Sequence, residues 1–393
     1  MKKYLLLSFV LLMVGCGTKI TPTSLTSPFS TQPTSEQPEQ TFSNAGPTHV
    51  ALLLPLNGKL DAAAQAFRDG FFNAFYADKK AHHTKVVVTV IDTKNDANVV
   101  ASYQKAIDKG ADFIIGPLTK NGVTALSNSN AVSVPTLALN KVPQKNNAPE
   151  KLFFFSLAPE DEAVQVVKQA RHHGASSAMI IAEKSDWGER TATAFAKHWQ
   201  QLGGTVAGTA YYREDEKFDD FAKKAFQINV TEKDQDGKVL AFTQRKDLDM
   251  VFLASNAEDA RQIRPFVSLY YTDKLPVFAT ASIFTESPNA TLARETNGII
   301  FCDMPWVIDS RRVSNSLRSG LDEMWTNSSV ELSRLYAMGA DAYALSKQID
   351  KTNSYAKFSY HGATGYLTVG SDRAVKRELL CARLQGGKPR ILR

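Results

Sequence analysis

The chain has 393 residues, 43% hydrophobic and 22% charged, with a formal net charge of +6. These proportions fit a soluble globular protein and exclude a disordered or fibrous one, and the length is comfortable for two domains. Without Lys2 and Lys3 the charge is +4, and no Lys/Arg block stands out, so nucleic acid is not an expected partner.

In chain order, Lys2 and Lys3 precede an apolar run from Tyr4 to Val14, closed by Gly15-Cys16. This is the layout of a secretory leader. The run is shorter than the about 20 residues needed to cross a bilayer, and no later run is long enough either. Met13-Val-Gly-Cys16 resembles a bacterial lipobox, which implies a signal peptide over 1–15 and acyl chains, palmitate among them, on Cys16. Gly17 stands where an Asp would resemble an inner-membrane retention signal, which points to the periplasmic face of the outer membrane. Residues 17–47 hold seven Thr, five Ser and five Pro. Such a segment buries too little apolar surface to fold, so 16–47 reads as a lipidated cysteine and a tether spanning roughly 30 Å on average.

From His49 onward strands and helices alternate. Val50 to Leu54 is a continuous apolar run, as in a strand buried on both faces. Leu60, Ala64, Phe67, Phe71 and Phe75 follow at helical spacing. Lys85 to Ile91 predicts a strand, Val99, Tyr103 and Ile107 a helix stopped by Gly110, and Phe113 to Ile115 and Val134 to Leu139 two more strands. After a break at Leu157-Ala-Pro159 the pattern returns. Acidic Glu160-Asp-Glu162 opens a helix striped by Ala163, Val166, Val167 and Ala170. Ala178 to Ala182 is a strand, and Ala192, Phe195, Trp199 and Leu202 mark a helix. Val206–Tyr212, Met250–Ala254, Val277–Ala281 and Ile299–Cys302 predict further strands, with a helix through Ile263, Val267 and Tyr270. Late helices are expected through Leu317, Leu321 and Trp325 and through Leu335, Gly339, Ala342 and Ile349, then a hairpin over His361 to Val369.

This alternation predicts an α/β protein of two doubly wound parallel-sheet lobes. The expected division is 48–157 plus 306–354 for one lobe and 158–305 plus 355–393 for the other. Cys302 lies in an apolar strand, so it and Cys381 are expected as buried thiols without a disulfide, although the compartment would permit one.

Two such lobes, crossed several times by the chain, resemble the type I periplasmic-binding-protein fold. More narrowly, the body resembles the LppC/LpoA family of lipoproteins. The residues that carry this resemblance stand in order. They are Val50-Ala-Leu-Leu-Leu-Pro-Leu56, Arg68-Asp-Gly70, Ile115-Gly-Pro-Leu118, Pro135-Thr-Leu-Ala-Leu-Asn140, Pro159-Glu-Asp-Glu-Ala163 and Asp186-Trp-Gly-Glu-Arg190. Leu248-Asp-Met-Val-Phe-Leu253, Asp303-Met-Pro-Trp306, Arg334-Leu-Tyr-Ala-Met-Gly-Ala-Asp-Ala-Tyr343 and Gly362-Ala-Thr-Gly365 follow. The resemblance implies a non-catalytic activator of a class A penicillin-binding protein in peptidoglycan synthesis, with no cofactor. Longer members carry a helical TPR-like domain before this body, and here a tether stands in that place. The alternative reading is a receptor whose lobes close on a small ligand, an amino acid or muropeptide. Against an amino-acid receptor, Gly116-Pro-Leu-Thr119 lacks a serine-rich turn.

In open parallel sheets ligands bind beyond the carboxyl ends of the strands. That rule selects Leu56, Asn57, Gly116, Leu118, Thr119, Asn140, Ser185, Asp186, Trp187, Ser255, Asn256 and Trp306 as candidate cleft residues. Structural readings stand beside these: Thr119, Ser185, Ser255 and Asn256 as helix caps, Gly116-Pro117 as a turn, Trp187 as core, and Trp306 as a cover over the lobe junction. Enzyme signatures are poor. His82-His83 and His172-His173 are adjacent rather than four apart as zinc on one helix face requires. There is no nucleophile elbow, and no motif selects a catalytic pair among 40 acids.

Overall fold

The computed structural model describes residues 46–94, 96, 98–142, 149–237, 239–271, 275–285, 294–313, 317–320, 329–349 and 358–392. The expected leader, lipidation site Cys16 and tether up to residue 45, and the expected helix positions Leu321 and Trp325, lie outside the described residues.

The first lobe is built on a five-stranded parallel sheet, order β2-β1-β3-β4-β5, from β1 (His49–Leu54), β2 (Val87–Asp92), β3 (Phe113–Ile115), β4 (Thr136–Ala138) and β5 (Leu152–Phe154). The apolar run of β1 is explained by two cores. Val50, Leu52 and Leu54 point into one, with Phe67, Phe71 and Phe75 of α1 (Asp61–His82). Ala51 and Leu53 point into the other, with Tyr103 and Ala106 of α2 (Val99–Asp108) and Val123 and Leu126 of α3 (Lys120–Ser127). A strand covered on both faces has no reason to alternate polar with apolar.

The second lobe is built on a seven-stranded sheet, order β17-β16-β12-β11-β10-β6-β7. Its parallel part is β6 (Ser177–Glu183), β7 (Thr205–Tyr212), β10 (Met250–Ala254), β11 (Val277–Ala279) and β12 (Ile300–Asp303). β16 (Leu380–Gln385) and β17 (Lys388–Ile391) add antiparallel strands at one edge. On one face, α4 (Pro159–His172) and α5 (Asp186–Gln201) bury Val166, Phe195 and Trp199 against Ile180 and Phe252. Also in this lobe, α6 (Phe218–Ala225) packs on α7 (Ala257–Tyr271) and a two-stranded insert forms from β8 (Asn229–Lys233) and β9 (Val239–Thr243).

After β12 the chain makes a helical turn, Pro305–Ile308, and reaches α8 (Val330–Ile349), which packs along α1 in the first lobe. The tail then divides. The small sheet β13 (Ser359–Gly362), β14 (Gly365–Val369) and β15 (Val375–Glu378) sends Leu367 and Val375 into the core shared with β1, whereas β16 and β17 join the second sheet.

The cysteine expectation is corrected. Cys302 and Cys381 form a disulfide. They stand directly opposite on antiparallel β12 and β16, with Cα atoms 4.0 Å apart. The buried strand foreseen around Cys302 is present, and the neighbour it lacked in the sequence reading was the returning tail.

Candidate interlobe site

The twelve candidate residues lie beyond strand ends as the topology requires, and most of their polar groups serve the local fold. After β1, the Leu56 amide and Asn57 Nδ2 both donate to the Asp92 carboxylate. That carboxylate also accepts from the Lys94 amide, and this bond first among its causes holds it below the usual carboxylate range. After β3, Gly116 has φ +115°, and a Cβ there would stand 2.2 Å from the Leu53 carbonyl oxygen. Leu118 offers its carbonyl to Asn140 Nδ2 at 3.1 Å, and Asn140 Oδ1 accepts from the Lys141 amide at 2.9 Å. Thr119 caps α3 by accepting from the Gly122 amide at 3.0 Å, while its own hydroxyl and amide donate to Asp96.

In the second lobe Ser185 caps α5 by accepting from the Gly188 amide at 3.2 Å. Asp186 is exposed in the first turn, and Trp187 packs against the core. Ser255 does not cap α7. Its hydroxyl donates to the Asn256 carbonyl, and Asn256 Oδ1 is the group that accepts from the Asp259 amide. Trp306 is 1% exposed among Met304, Tyr336 and Ala363, its amide bonded to the Ala363 carbonyl and its ring under the Arg318 guanidinium. Thr119 and Ser185 thus take the capping roles foreseen for them, and Trp306 is a buried core side chain.

Between the strand ends lies a charged cluster that the sequence reading missed. Arg334 of α8 reaches from the first lobe to the end of β12 in the second. Its Nη2 donates to Asp303 Oδ2 at 2.6 Å and to the carbonyls of Ala281 and Phe284 at 3.0 and 3.3 Å, and its Nε donates to the same carboxylate at 3.1 Å. Both residues are buried. Burial works to lower the guanidinium pKa, and the Asp303 charge outweighs it, so the net shift is upward. Glu162 of α4 accepts from the Ala281 amide at 3.0 Å. Partly buried by area, its carboxyl is nonetheless pushed up to about 7, by desolvation first and the Asp303 charge second, against the pull of Arg377 and Arg334. Arg377 of β15 is buried and donates to the Thr364 carbonyl at 3.4 Å. Asp341 of α8 accepts from the Ala363 amide and from the Thr364 amide and hydroxyl, and burial pushes it up to about 6. Two carboxylates of the second lobe, Glu162 and Asp303, thereby face two guanidinium groups from the first-lobe side. Lys141, just past β4, adds a longer pair to Asp161 at the start of α4, 3.5 Å apart.

Two signals in the sequence pointed here. Asp303 ends an apolar strand, and Arg334 and Asp341 sit in a helix that is otherwise apolar over most of its surface. Buried charges in such settings need partners. A separate groove of about 610 Å³ lies on the second lobe, where Ala192, Ala196 and Gln200 of α5 meet Tyr211 of edge strand β7. None of the twelve residues lines it. Among the described residues no cluster of three His, Cys, Asp or Glu could hold a metal ion.

Two doubly wound parallel-sheet lobes, joined through crossing strands and a charged seam, define a protein of the type I periplasmic-binding-protein class. The family described as "LppC putative lipoprotein" matches residues 30–387, and the chain belongs to it. A curated relative, "Penicillin-binding protein activator LpoA" of Photobacterium profundum, is 31% identical over 340 residues, covering 84% of this chain and 55% of the relative. The Vibrio antiquarius protein of the same description is 29% identical, covering 85% and 56%. The chain therefore spans a little over half the length of these relatives. Among solved structures, "LpoA (YraM) C-domain from Haemophilus influenzae, a regulator of PBP1A" is matched over 88% of this chain and 100% of that one, with a TM-score of 0.71 and 24% identity. A protein from Chromobacterium violaceum described as a "putative branched-chain amino acid ABC transporter" has a TM-score of 0.67 and 26% identity over 86% of this chain and 99% of that one.

Proposed function

We propose that this chain is a non-catalytic, lipid-anchored adaptor of the outer membrane whose two-lobed body binds and activates a class A penicillin-binding protein, raising peptidoglycan synthesis. The observation that carries the reading is the family match over nearly the whole body, together with relatives described as penicillin-binding protein activators. Lipid on Cys16 holds the protein at the membrane, and the tether lets the body reach inward. The body acts by binding the synthase's active conformation better than its inactive one, the only way a partner shifts such an equilibrium.

The receptor alternative rests on the likeness to transport proteins of the same fold. The seam speaks against it. Arg334 bonds across to Asp303, Ala281 and Phe284, so polar contacts that a closing ligand would supply come from the chain itself.

The test combines the purified chain with its cognate class A synthase. Expected results are association in a pull-down and faster glycan polymerisation or cross-linking. Absence of both association and a rate change would overturn the proposal. In parallel, a ligand at a hundredfold its Kd would stabilise a receptor by about 2.7 kcal/mol. A saturable thermal shift with an amino acid or muropeptide would favour the alternative.

A further inference from the structure

We propose that the tether-side end of the first lobe is a docking surface for the anionic phospholipid headgroups of the membrane carrying the anchor. The inference rests on the lipid-anchor reading and adds a second, non-covalent contact to it.

The surface is defined by where the chain enters the body. The first described residue is Gly46, and the Thr48 carbonyl accepts from the Val87 amide at the start of β2. The Thr48 and His49 amides donate to Asp112, just before β3. The tether thus joins at the amino-terminal edge of the first sheet, opposite to the strand ends that form the seam. At this edge stand six exposed lysines: Lys79 and Lys80 in the last turn of α1, Lys85 before β2, Lys105 and Lys109 at the end of α2, and Lys151 before β5. The acidic groups here are fewer. Asp78 is buried and bonded to Lys347, Tyr343 and His82. Asp112 is taken up by Thr48 and His49, leaving Asp108 and Glu150 exposed.

Helix dipoles account for a cation or two at each helix end. They do not account for Lys85 and Lys151, which lie outside helices, nor for the apolar groups beside them. Val87, first residue of an edge strand, is 55% exposed, and Tyr76, one turn before Lys79 and Lys80, is 58% exposed. Lysines interleaved with an exposed aromatic and an aliphatic side chain suit a membrane interface, where charge meets headgroups and the ring lies at their level. Of the described body, this end is where the chain leading from the proposed anchor enters, at Gly46. Docking there would hold the body at rest on its own membrane until a partner draws it away.

The experiment uses residues 17–393, without leader or lipidated cysteine, and sedimentation with phosphatidylcholine vesicles that contain or lack phosphatidylglycerol. Binding is expected only with phosphatidylglycerol and is lost at high salt, where the screening length falls to about 3 Å. Each lysine is expected to contribute about fivefold, so Lys79→Gln/Lys80→Gln/Lys85→Gln should weaken partitioning on the order of a hundredfold. The lobe-2 control Lys168→Gln/Lys197→Gln/Lys224→Gln should leave it unchanged. Equal binding to both vesicles, indifference to the first triple variant, or binding to purified wall polymer but to neither vesicle would overturn the proposal. Mass spectrometry of the full chain for acylated Cys16 tests the anchor separately, so either can fail alone.

Discussion

Arg334 is the residue whose removal has the largest expected effect at the seam. A buried charge left without its partner costs about 3–5 kcal/mol, so Arg334→Met, which strands Asp303, should lower stability by that order in denaturant titrations. Arg334→Met/Asp303→Asn should recover part of the loss, because no buried carboxylate then remains unpaired. If the double variant is as unstable as the single, the pair is not the source of the effect. Glu162 makes a pH prediction. Its folded pKa, about 7, stands above the ordinary value of 4.5, so the folded state binds the proton more tightly than the unfolded chain. Stability from this group is fully present below about pH 4.5, declines as pH rises, and is lost above about 7. The total is at most about 3 kcal/mol, from 1.36 kcal/mol per unit. Asp341, raised to about 6 from 3.8, adds a decline of the same sign at lower pH. Glu162→Gln should flatten the slope of melting temperature between pH 5 and 7, and an unchanged slope would assign it elsewhere.

At the scale of elements, α1 and α8 cross at two glycines. A Cβ on Gly70 would stand 1.9 Å from the Tyr336 carbonyl oxygen, and one on Gly339 would stand 1.9 Å from that of Phe67. Alanine is the better helix former by about 1 kcal/mol, yet overpacking costs about 1–3 kcal/mol or more, and here the obstacle is backbone. Gly339→Ala should therefore lower the melting temperature despite its propensity gain. A neutral or stabilising result would mean the helices can part cheaply. Gly339 was legible as a member of the helical stripe, but its reason was not, since a crossing partner far away in the chain leaves no local pattern. The long buried strands β1, β6, β10 and β12 were legible because two covered faces produce unbroken apolar runs. β5 was missed because three residues, Leu152 to Phe154, carry too little pattern, and β17 because Pro389 argues against a strand except at an edge, where it lies. β16 was readable in principle: Leu380, Ala382 and Leu384 are buried and alternate with more exposed residues. The cap residues Thr119 and Ser185 were legible since capping is local, whereas Arg334, Asp303 and Glu162 meet only once two lobes are assembled.

At the scale of the whole molecule, the question is what fixes one lobe against the other. The chain passes from the first lobe to the second between β5 and α4, returns after β12, and crosses again between β15 and β16, and the disulfide joins β12 to β16 beside the last two of these passages. Cys302 immediately precedes Asp303, the partner of Arg334, and Cys381 lies four residues after Arg377. The crosslink therefore ties β12, which carries Asp303, to β16, the strand that follows Arg377 of β15. Cross-linking residues 79 apart in sequence also restricts the unfolded chain, and loss of such a bond costs about 2–5 kcal/mol. Cys302→Ser/Cys381→Ser should lower the melting temperature and weaken hydrogen-exchange protection in β12 and β16, while β1 and β3 of the other lobe keep theirs. Wild type under reducing agent should converge on the double variant, and reductant should leave the variant itself unaffected. Equal loss of protection in both lobes would mean the disulfide secures the fold as a whole. Loss confined to the second sheet and the seam would mean that it governs how the lobes are held.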